Sequence, residues 1–310
     1  FILGTEGGGY KEALEKNLGG IIFFTKDITS IEQFKDLISD VKAHAKTIPF
    51  LSIDQEGGRV ERTENIHHGK KYLSAKFAFA KGINFLKLQT EQIASELKSY
   101  GINLNFAPCI DVNTNAENPI IGERSFSANA DDVIECEKIV SQSYREKGII
   151  PCVKHYPGHG DASADSHLTL PQIDISLEEM EKTHIKPFKA CAKTIEMMMV
   201  AHLHCTCFDK DVIPASLSEN AIFYLRNKLG FNGIIISDDM MMKGVAQFGL
   251  AEAFERGIRA GLNMFIHRNS TPDIIEAIEQ VYKLALKDDE IKTKIELSYE
   301  KISHLKKDLL

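Results

Sequence analysis

The feature that most constrains this chain is a rhythm. Eight short apolar runs, FILG (1–4), GIIFF (20–24), PFLSID (49–54), INLNFAP (102–108), IIPCVKHY (149–156), MMMVAHL (197–203), GIIISD (233–238) and MFIH (264–267), alternate with longer amphipathic segments from one end of the sequence to the other. Strands that alternate with helices of this length imply parallel pairing through crossover helices. Eight such units in 310 residues predict an α/β chain folded as one (β/α)₈ TIM-like barrel over residues 1–310, in preference to an open doubly wound sheet.

The intervening segments have legible helix ends. Ser30 to Gln33 has capping-box spacing ahead of an apolar stripe formed by Ile31, Phe34, Leu37, Ile38 and Val41. Ser176 to Glu179 repeats the box, and Thr271-Pro272 opens a helix with proline at its first position. Gly101, Gly148, Gly230 and Gly261 follow helical patterns as stops. The segment DDEIKTKIELSYEKISHLKKDLL reads as a charged helix packed on the outside, with its lysine-rich face in solvent. No linker, low-complexity stretch or repeat divides the chain.

Composition narrows the function classes. With 43% hydrophobic and 26% charged residues the chain is globular, and no apolar stretch is long enough to span a membrane. The net charge of −7 is spread along the sequence with no basic block, which argues against a nucleic-acid partner. Cys109, Cys136, Cys152, Cys191, Cys205 and Cys207 are expected to be reduced, buried thiols, as in a cytoplasmic protein. The sequence begins inside an apolar strand without methionine, as in a trimmed or processed chain.

A parallel barrel builds its site at the carboxyl ends of its strands, and the polar residues collect there. Asp54 ends the third run and Asp111 follows the fourth. Lys154 and His155 end the fifth, His202 and His204 the sixth, and Asp238 and Asp239 the seventh. A lone aspartate after a strand is more often a turn residue or helix cap, and Asp111 and Asp239 fit that account too. Lys154 and His155, at the end of an apolar strand, need a partner or a ligand. For Arg59, Arg62 and Arg124 a salt bridge and substrate anchoring both remain open.

The stretch KHYPGHGDASADSHLTLP (154–171) concentrates titratable groups. His155, His159, His167, Asp161 and Asp165 are metal-ligand types, and AHLHC offers a His-x-His at a strand end. In metal-dependent barrel hydrolases that pair normally belongs to the first strand, however, and here it falls on the sixth. Gly158 and Gly160 lack nucleotide-loop spacing and are read instead as positions of positive φ or close backbone approach in a loop over the barrel mouth. What remains is acid/base and nucleophilic work: Asp165 lies two residues from His167 and can orient its ring and support its protonated form, with Asp238 as a carboxylate on a rigid strand end.

These residues carry a resemblance. IDQEGGRVER (53–62), GINLNFAPCIDVNTNAENPIIGERSFS (101–127), KHYPGHGDASADSHLTLP (154–171), PASLS (214–218) and GFNGIIISDDMMMKG (230–244) together resemble the glycoside hydrolase family 3 β-N-acetylglucosaminidases of the NagZ type over nearly the whole chain. The resemblance implies that Asp238 is the nucleophile, that His167 paired with Asp165 is the general acid/base, and that Asp54, Arg62, Arg124, Lys154 and His155 bind the sugar. It implies a terminal, non-reducing, β-linked N-acetylglucosamine as substrate, typically on a muropeptide in peptidoglycan recycling, with neither metal nor organic cofactor. Phosphorolysis with phosphate as acceptor, a metal-dependent barrel hydrolase and a non-catalytic muropeptide sensor are the competing readings. The chain also departs from the family pattern: it has no tryptophan, so an aromatic platform is Phe or Tyr or is absent; Thr63 stands where an aromatic residue is common; and the AHLHCTCFD stretch is unusual.

Overall fold

The computed structural model describes residues 1–67, 70–162 and 170–310. Asp165 and His167 lie outside them. The strands are β1 (Ile2–Glu6), β2 (Gly20–Phe23), β3 (Phe50–Ile53), β4 (Leu104–Asn105), β5 (Ile150–Tyr156), β6 (Gln172–Ile173), β7 (Met197–Val200), β8 (His204–Cys205), β9 (Ile234–Asp239) and β10 (Met264–Asn269). All but β6 and β8 close into a parallel barrel in the order β1-β10-β9-β7-β5-β4-β3-β2. These eight strands fall on the eight apolar runs. β6 and β8 make a separate two-stranded parallel sheet.

Alternation along each strand explains why the runs are almost wholly apolar. Ile2, Ile22, Phe50, Cys152, Met197, Met199, Ile234, Ile236, Met264 and Ile266 fill the barrel interior, while Leu3, Ile21, Leu51, Val153, Met198 and Ile235 face the helices outside. Both faces are therefore buried. Full burial of each such side chain contributes on the order of 1.5–3 kcal/mol, and the filled interior closes the barrel from below.

The helix ends follow the sequence with one shift. Ser176 and Glu179 form a complete capping box. At Ser30 the hydroxyl accepts the Gln33 N–H at 3.1 Å, but the Gln33 side chain reaches back to the Thr29 N–H at 3.0 Å. Pro272 opens its helix as expected. Gly158 has φ +123°, and a Cβ at Gly160 would stand 1.8 Å from the Val112 carbonyl oxygen, so both glycines are required by the backbone path after β5.

The last helix, Asp289–Leu309, corrects one expectation. Its lysine face is not all solvated: Ile302 and Leu305 pack against the interior cluster at the amino end of the barrel, and Lys306 is buried with them. The Lys306 ammonium donates to the Gly19 carbonyl at 2.7 Å and sits 4.6 Å from the Phe50 ring centroid. All six cysteines are unpaired, and only Cys207 is not fully buried.

Candidate active site

At the other end of the barrel the inward parity continues past the apolar layers. Two residues beyond Ile22, Ser52, Cys152, Ile236 and Ile266 stand Phe24, Asp54, Lys154, Asp238 and Arg268. These five line one cavity of about 330 Å³ at the carboxyl rim, together with Arg62, Arg124, His155, His159, Asp239 and others. Sequence reading found Asp54, Lys154 and Asp238 by their charge; it passed over Phe24 and Arg268, which strand parity alone would have located. Phe24 is the one phenylalanine in the described lining of this cavity.

Lys154 is 2% exposed and stands 2.6 Å from both Asp54 and Glu56. Burial alone would favour the neutral amine, but the two carboxylates outweigh it and raise the pKa above the usual lysine range. Glu56 is also the bidentate partner of Arg124, whose Nε and Nη2 donate at 2.9 and 2.8 Å. Its own burial is overcome by those two cations, which hold its carboxyl well below the ordinary range. Arg124 thus makes the salt bridge that sequence left open while still lining the cavity. Glu56, the hub of this network, was missed: in DQEGG it reads as a turn residue, and its partners lie 98 and 68 positions away in sequence.

A second buried carboxylate fixes His155. Asp111, fully buried, accepts from His155 Nδ1 at 2.6 Å, from the backbone N–H groups of His155 at 3.2 Å and His159 at 2.6 Å, and from the Cys109 thiol at 3.2 Å. Burial would raise its pKa, and His155 and His159 pull it down further than burial pushes it up. Asp111 is therefore an orienting group rather than a plain turn residue. With Nδ1–H of His155 donating to Asp111, Nε2 is left to accept from Arg124 Nη2 at 3.2 Å, so the network assigns one tautomer.

His159 is a different case. Its backbone supports the turn, since its carbonyl accepts from Asn118 Nδ2 at 2.8 Å, but its ring lines the cavity with both nitrogens buried and unpartnered among the described residues. Burial draws its pKa down to about 4.

The two adjacent aspartates of β9 divide cleanly. Asp239 accepts from the Met241 N–H at 3.1 Å, the Arg268 N–H at 3.2 Å and the Arg268 Nε, so its oxygens are occupied. Among the described residues Asp238 accepts only the Asp239 N–H, at 2.7 Å, and its carboxylate is partly accessible from the cavity. Burial would raise the Asp238 pKa, but the neighbouring His155, His202 and Lys154 and that N–H together set it below the ordinary aspartate value. Asp238 is thus a poised anion facing open space.

Several expectations divide at the remaining positions. Arg59 donates to the carbonyls of Pro119 and Ile120, pinning one loop to another, and makes no salt bridge among the described residues. Arg62 approaches Asp54 only to 4.0 Å, and its guanidinium lies 5.7 Å from the Phe24 ring centroid. His202 Nδ1 meets Ser216 Oγ at 2.7 Å while His204 Nδ1 meets the Ile213 carbonyl at 3.2 Å, so the His-x-His pair does not converge on one point. The described group that could hold a cation is Cys109, Asp111 and His155, and its ligand atoms are already engaged with one another. The pair Asp165 and His167 lies outside the described residues.

Residues 10–302 match the glycosyl hydrolase family 3 N-terminal domain. The chain belongs to glycoside hydrolase family 3. It is 30% identical over 285 residues to β-hexosaminidase A of Pseudoalteromonas piscicida, covering 82% of this chain and 47% of that one. It is 30% identical over 270 residues to the β-hexosaminidase of Idiomarina loihiensis, covering 84% and 80%. A family 3 β-N-acetylglucosaminidase from Paenibacillus sp. str. FPU-7 superposes with a TM-score of 0.89 at 28% identity, over 99% of this chain and 60% of that chain. The chain thus spans about half the length of the first of these family 3 relatives and most of the second.

Proposed function

We propose that this family 3 chain is a retaining exo-β-N-acetylglucosaminidase that removes terminal, non-reducing, β-linked N-acetylglucosamine. The observation that carries the reading is the contrast on β9: Asp239 is tied down, whereas Asp238 is an anion held ready above a closed-bottomed cavity. The hexosaminidase relatives supply the sugar class, and the muropeptide of cytoplasmic peptidoglycan recycling is proposed from the motif resemblance alone.

In the first step an electron pair of the Asp238 carboxylate bonds to the anomeric carbon as the glycosidic bond breaks, and the departing oxygen takes the proton of His167. In the second, His167 accepts a proton from water, the water oxygen bonds to the anomeric carbon, and the ester to Asp238 is released. Asp165 supports the imidazolium. Asp54, Lys154, His155, Arg124 and Arg62 are proposed to hydrogen-bond the sugar, with the lysine and arginines donating in orientations set by Asp54, Glu56 and Asp111. A cavity whose floor is the packed barrel suits a chain end rather than an internal unit.

The test is release of nitrophenol from 4-nitrophenyl N-acetyl-β-D-glucosaminide, with the anomer formed first read by proton NMR. The expected product is the β anomer, and Asp238→Asn is expected to lower kcat by at least about 10³-fold. Undiminished turnover in that variant, or the α anomer formed first, sinks the proposal.

A further inference from the structure

The Cys-Thr-Cys within AHLHCTCFD (205–207) stands apart from the sugar site, since neither Cys205 nor Cys207 is among the residues lining the cavity. Its two thiols also differ from the other four. Cys109, Cys136, Cys152 and Cys191 are buried, and burial pushes each of them up, away from the reactive thiolate. Cys205 ends β8 against Ile173 and is 2% exposed, whereas Cys207 stands in the turn that follows and is half-buried. The Cys205 carbonyl holds that turn, accepting the N–H groups of Phe208 at 3.1 Å and Asp209 at 3.3 Å. Asp209 secures its far end by accepting from Ser218 Oγ and from Asn220 Nδ2 at 2.8 Å. The turn brings the two thiols together. A hydrogen bond from Cys205 is the largest influence on Cys207 and lowers its pKa, against burial and the Asp209 charge; the same contact, with burial, raises that of Cys205. One sulfur is therefore accessible and inclined to the thiolate, and the other is buried beside it as a protonated donor.

We infer that Cys207 and Cys205 form a thiol–disulfide exchange site, with Cys207 as the attacking sulfur, Cys205 as the resolving thiol and a low-molecular-weight disulfide as the reactant. An accessible thiol with a depressed pKa beside a second cysteine is the arrangement that redox-reactive sites use. In the first step the Cys207 thiolate bonds to one sulfur of the disulfide RSSR, and the other sulfur leaves as RS⁻. In the second, Cys205 gives up its proton, its sulfur bonds to Cys207 Sγ, and the remaining RS⁻ departs. Each RS⁻ takes a proton, one from Cys205 and one from the solvent that received the Cys207 proton, so two electrons and two protons pass from the pair to RSSR. Residues two apart in a turn fall within the roughly 4.4–6.8 Å Cα separation that a disulfide spans, so the ring through Thr206 closes within the turn. The site is separate from the sugar chemistry, and its test does not depend on the glycosidase reading.

The experiment incubates the full chain with glutathione disulfide at neutral pH, quenches with acid, and counts free thiols by mass after alkylation with N-ethylmaleimide in denaturant. Of the six cysteines, two are expected to become closed to alkylation, with a digest placing the bond between Cys205 and Cys207, and dithiothreitol is expected to restore both. Cys205→Ala is expected to stop at the first step, holding one glutathione on Cys207, and Cys207→Ser to slow the reaction by at least about tenfold. Iodoacetamide labelling of the native reduced chain gives a second readout: Cys207 should label first, and Cys205→Ala should slow that labelling at neutral pH by returning the Cys207 thiol toward its ordinary pKa. Retention of all six thiols in glutathione disulfide, a bond between other cysteines, or Cys207 labelling that Cys205→Ala leaves unchanged overturns the inference. The first two of these are read on wild type, so they decide the matter even where a variant at buried Cys205 folds poorly.

Discussion

Two lysines are buried at opposite ends of the same barrel, and their surroundings differ in kind. At the carboxyl end Lys154 lies between Asp54 and Glu56, both at 2.6 Å. At the amino end Lys306 has one carbonyl oxygen at 2.7 Å and the face of Phe50. Burial disfavours both ammonium groups. At Lys154 the carboxylates reverse that effect and the pKa rises; at Lys306 no carboxylate does so, and the pKa falls to about 8. The comparison teaches how the fold separates its tasks. The amino end is closed by packing, with a cation tolerated at its edge, whereas the carboxyl end holds an ionic lattice whose members lie far apart in sequence and are useful only in fixed positions.

The largest break in that comparison is expected from Lys154→Met. It leaves Asp54 and Glu56 without their shared ammonium, at a cost of about 3–5 kcal/mol by analogy with other severed buried pairs. A lowered urea midpoint together with a large loss of kcat/KM would be the outcome; a stability within about 1 kcal/mol of wild type would mean that Arg124 alone satisfies Glu56.

Lys306→Met is expected to change stability little at neutral pH, since an apolar side chain of similar length suits the same niche. Its effect emerges on the alkaline side. Because the folded pKa lies near 8 and the unfolded value near 10.5, the unfolded chain binds more protons between those limits, and wild type gains stability over Lys306→Met as pH rises through that window. The relative gain is about 3 kcal/mol at most. Lys154 has the opposite sign: its raised pKa contributes stability that is fully present below the unfolded value near 10.5 and fades only above it. Urea melts of wild type and both variants from pH 7 to 10 would separate the two ends. A flat difference for Lys306→Met would show that its carbonyl and aromatic partners hold the charge after all.

The two ends were also unequally legible in the sequence. The barrel could be read because each strand is covered on both faces, so that MMMV and GIIIS stand out without any partner being known. Asp54, Lys154 and Asp238 were visible because charge at the end of such a run is conspicuous. Glu56 was missed, and Asp111 was left open between a rim group and a turn residue, for the same physical reason: a carboxylate in a loop reads as solvated until the folded chain brings cations or N–H donors to it from 44 to 98 residues away. Phe24 and Arg268 needed only the two-residue alternation of the strands that carry them. Lys306 was misread because a charged, mostly exposed helix conceals the few positions, Ile302, Leu305 and Lys306, that turn toward the barrel floor.

The smallest expected effect concerns His159, the imidazole of the upper lattice with neither ring nitrogen partnered among the described residues. His159 sits 3% exposed with both ring nitrogens unbonded among the described residues, beside an Asp111 whose oxygens are taken by other donors. A buried polar ring without partners gives little stability beyond its packing, so His159→Leu should alter unfolding free energy by less than about 1 kcal/mol at pH 7. The pH dependence has a definite sign. The folded pKa of about 4 lies below the unfolded value near 6.5, so the unfolded chain takes up the extra proton between them and wild type loses stability as pH falls through that range. His159→Leu lacks that loss and should gain on wild type between pH 6.5 and 4. If instead the variant is markedly less stable at pH 7, the ring nitrogens have a partner in the folded protein, and the upper lattice extends one residue further than its described bonds.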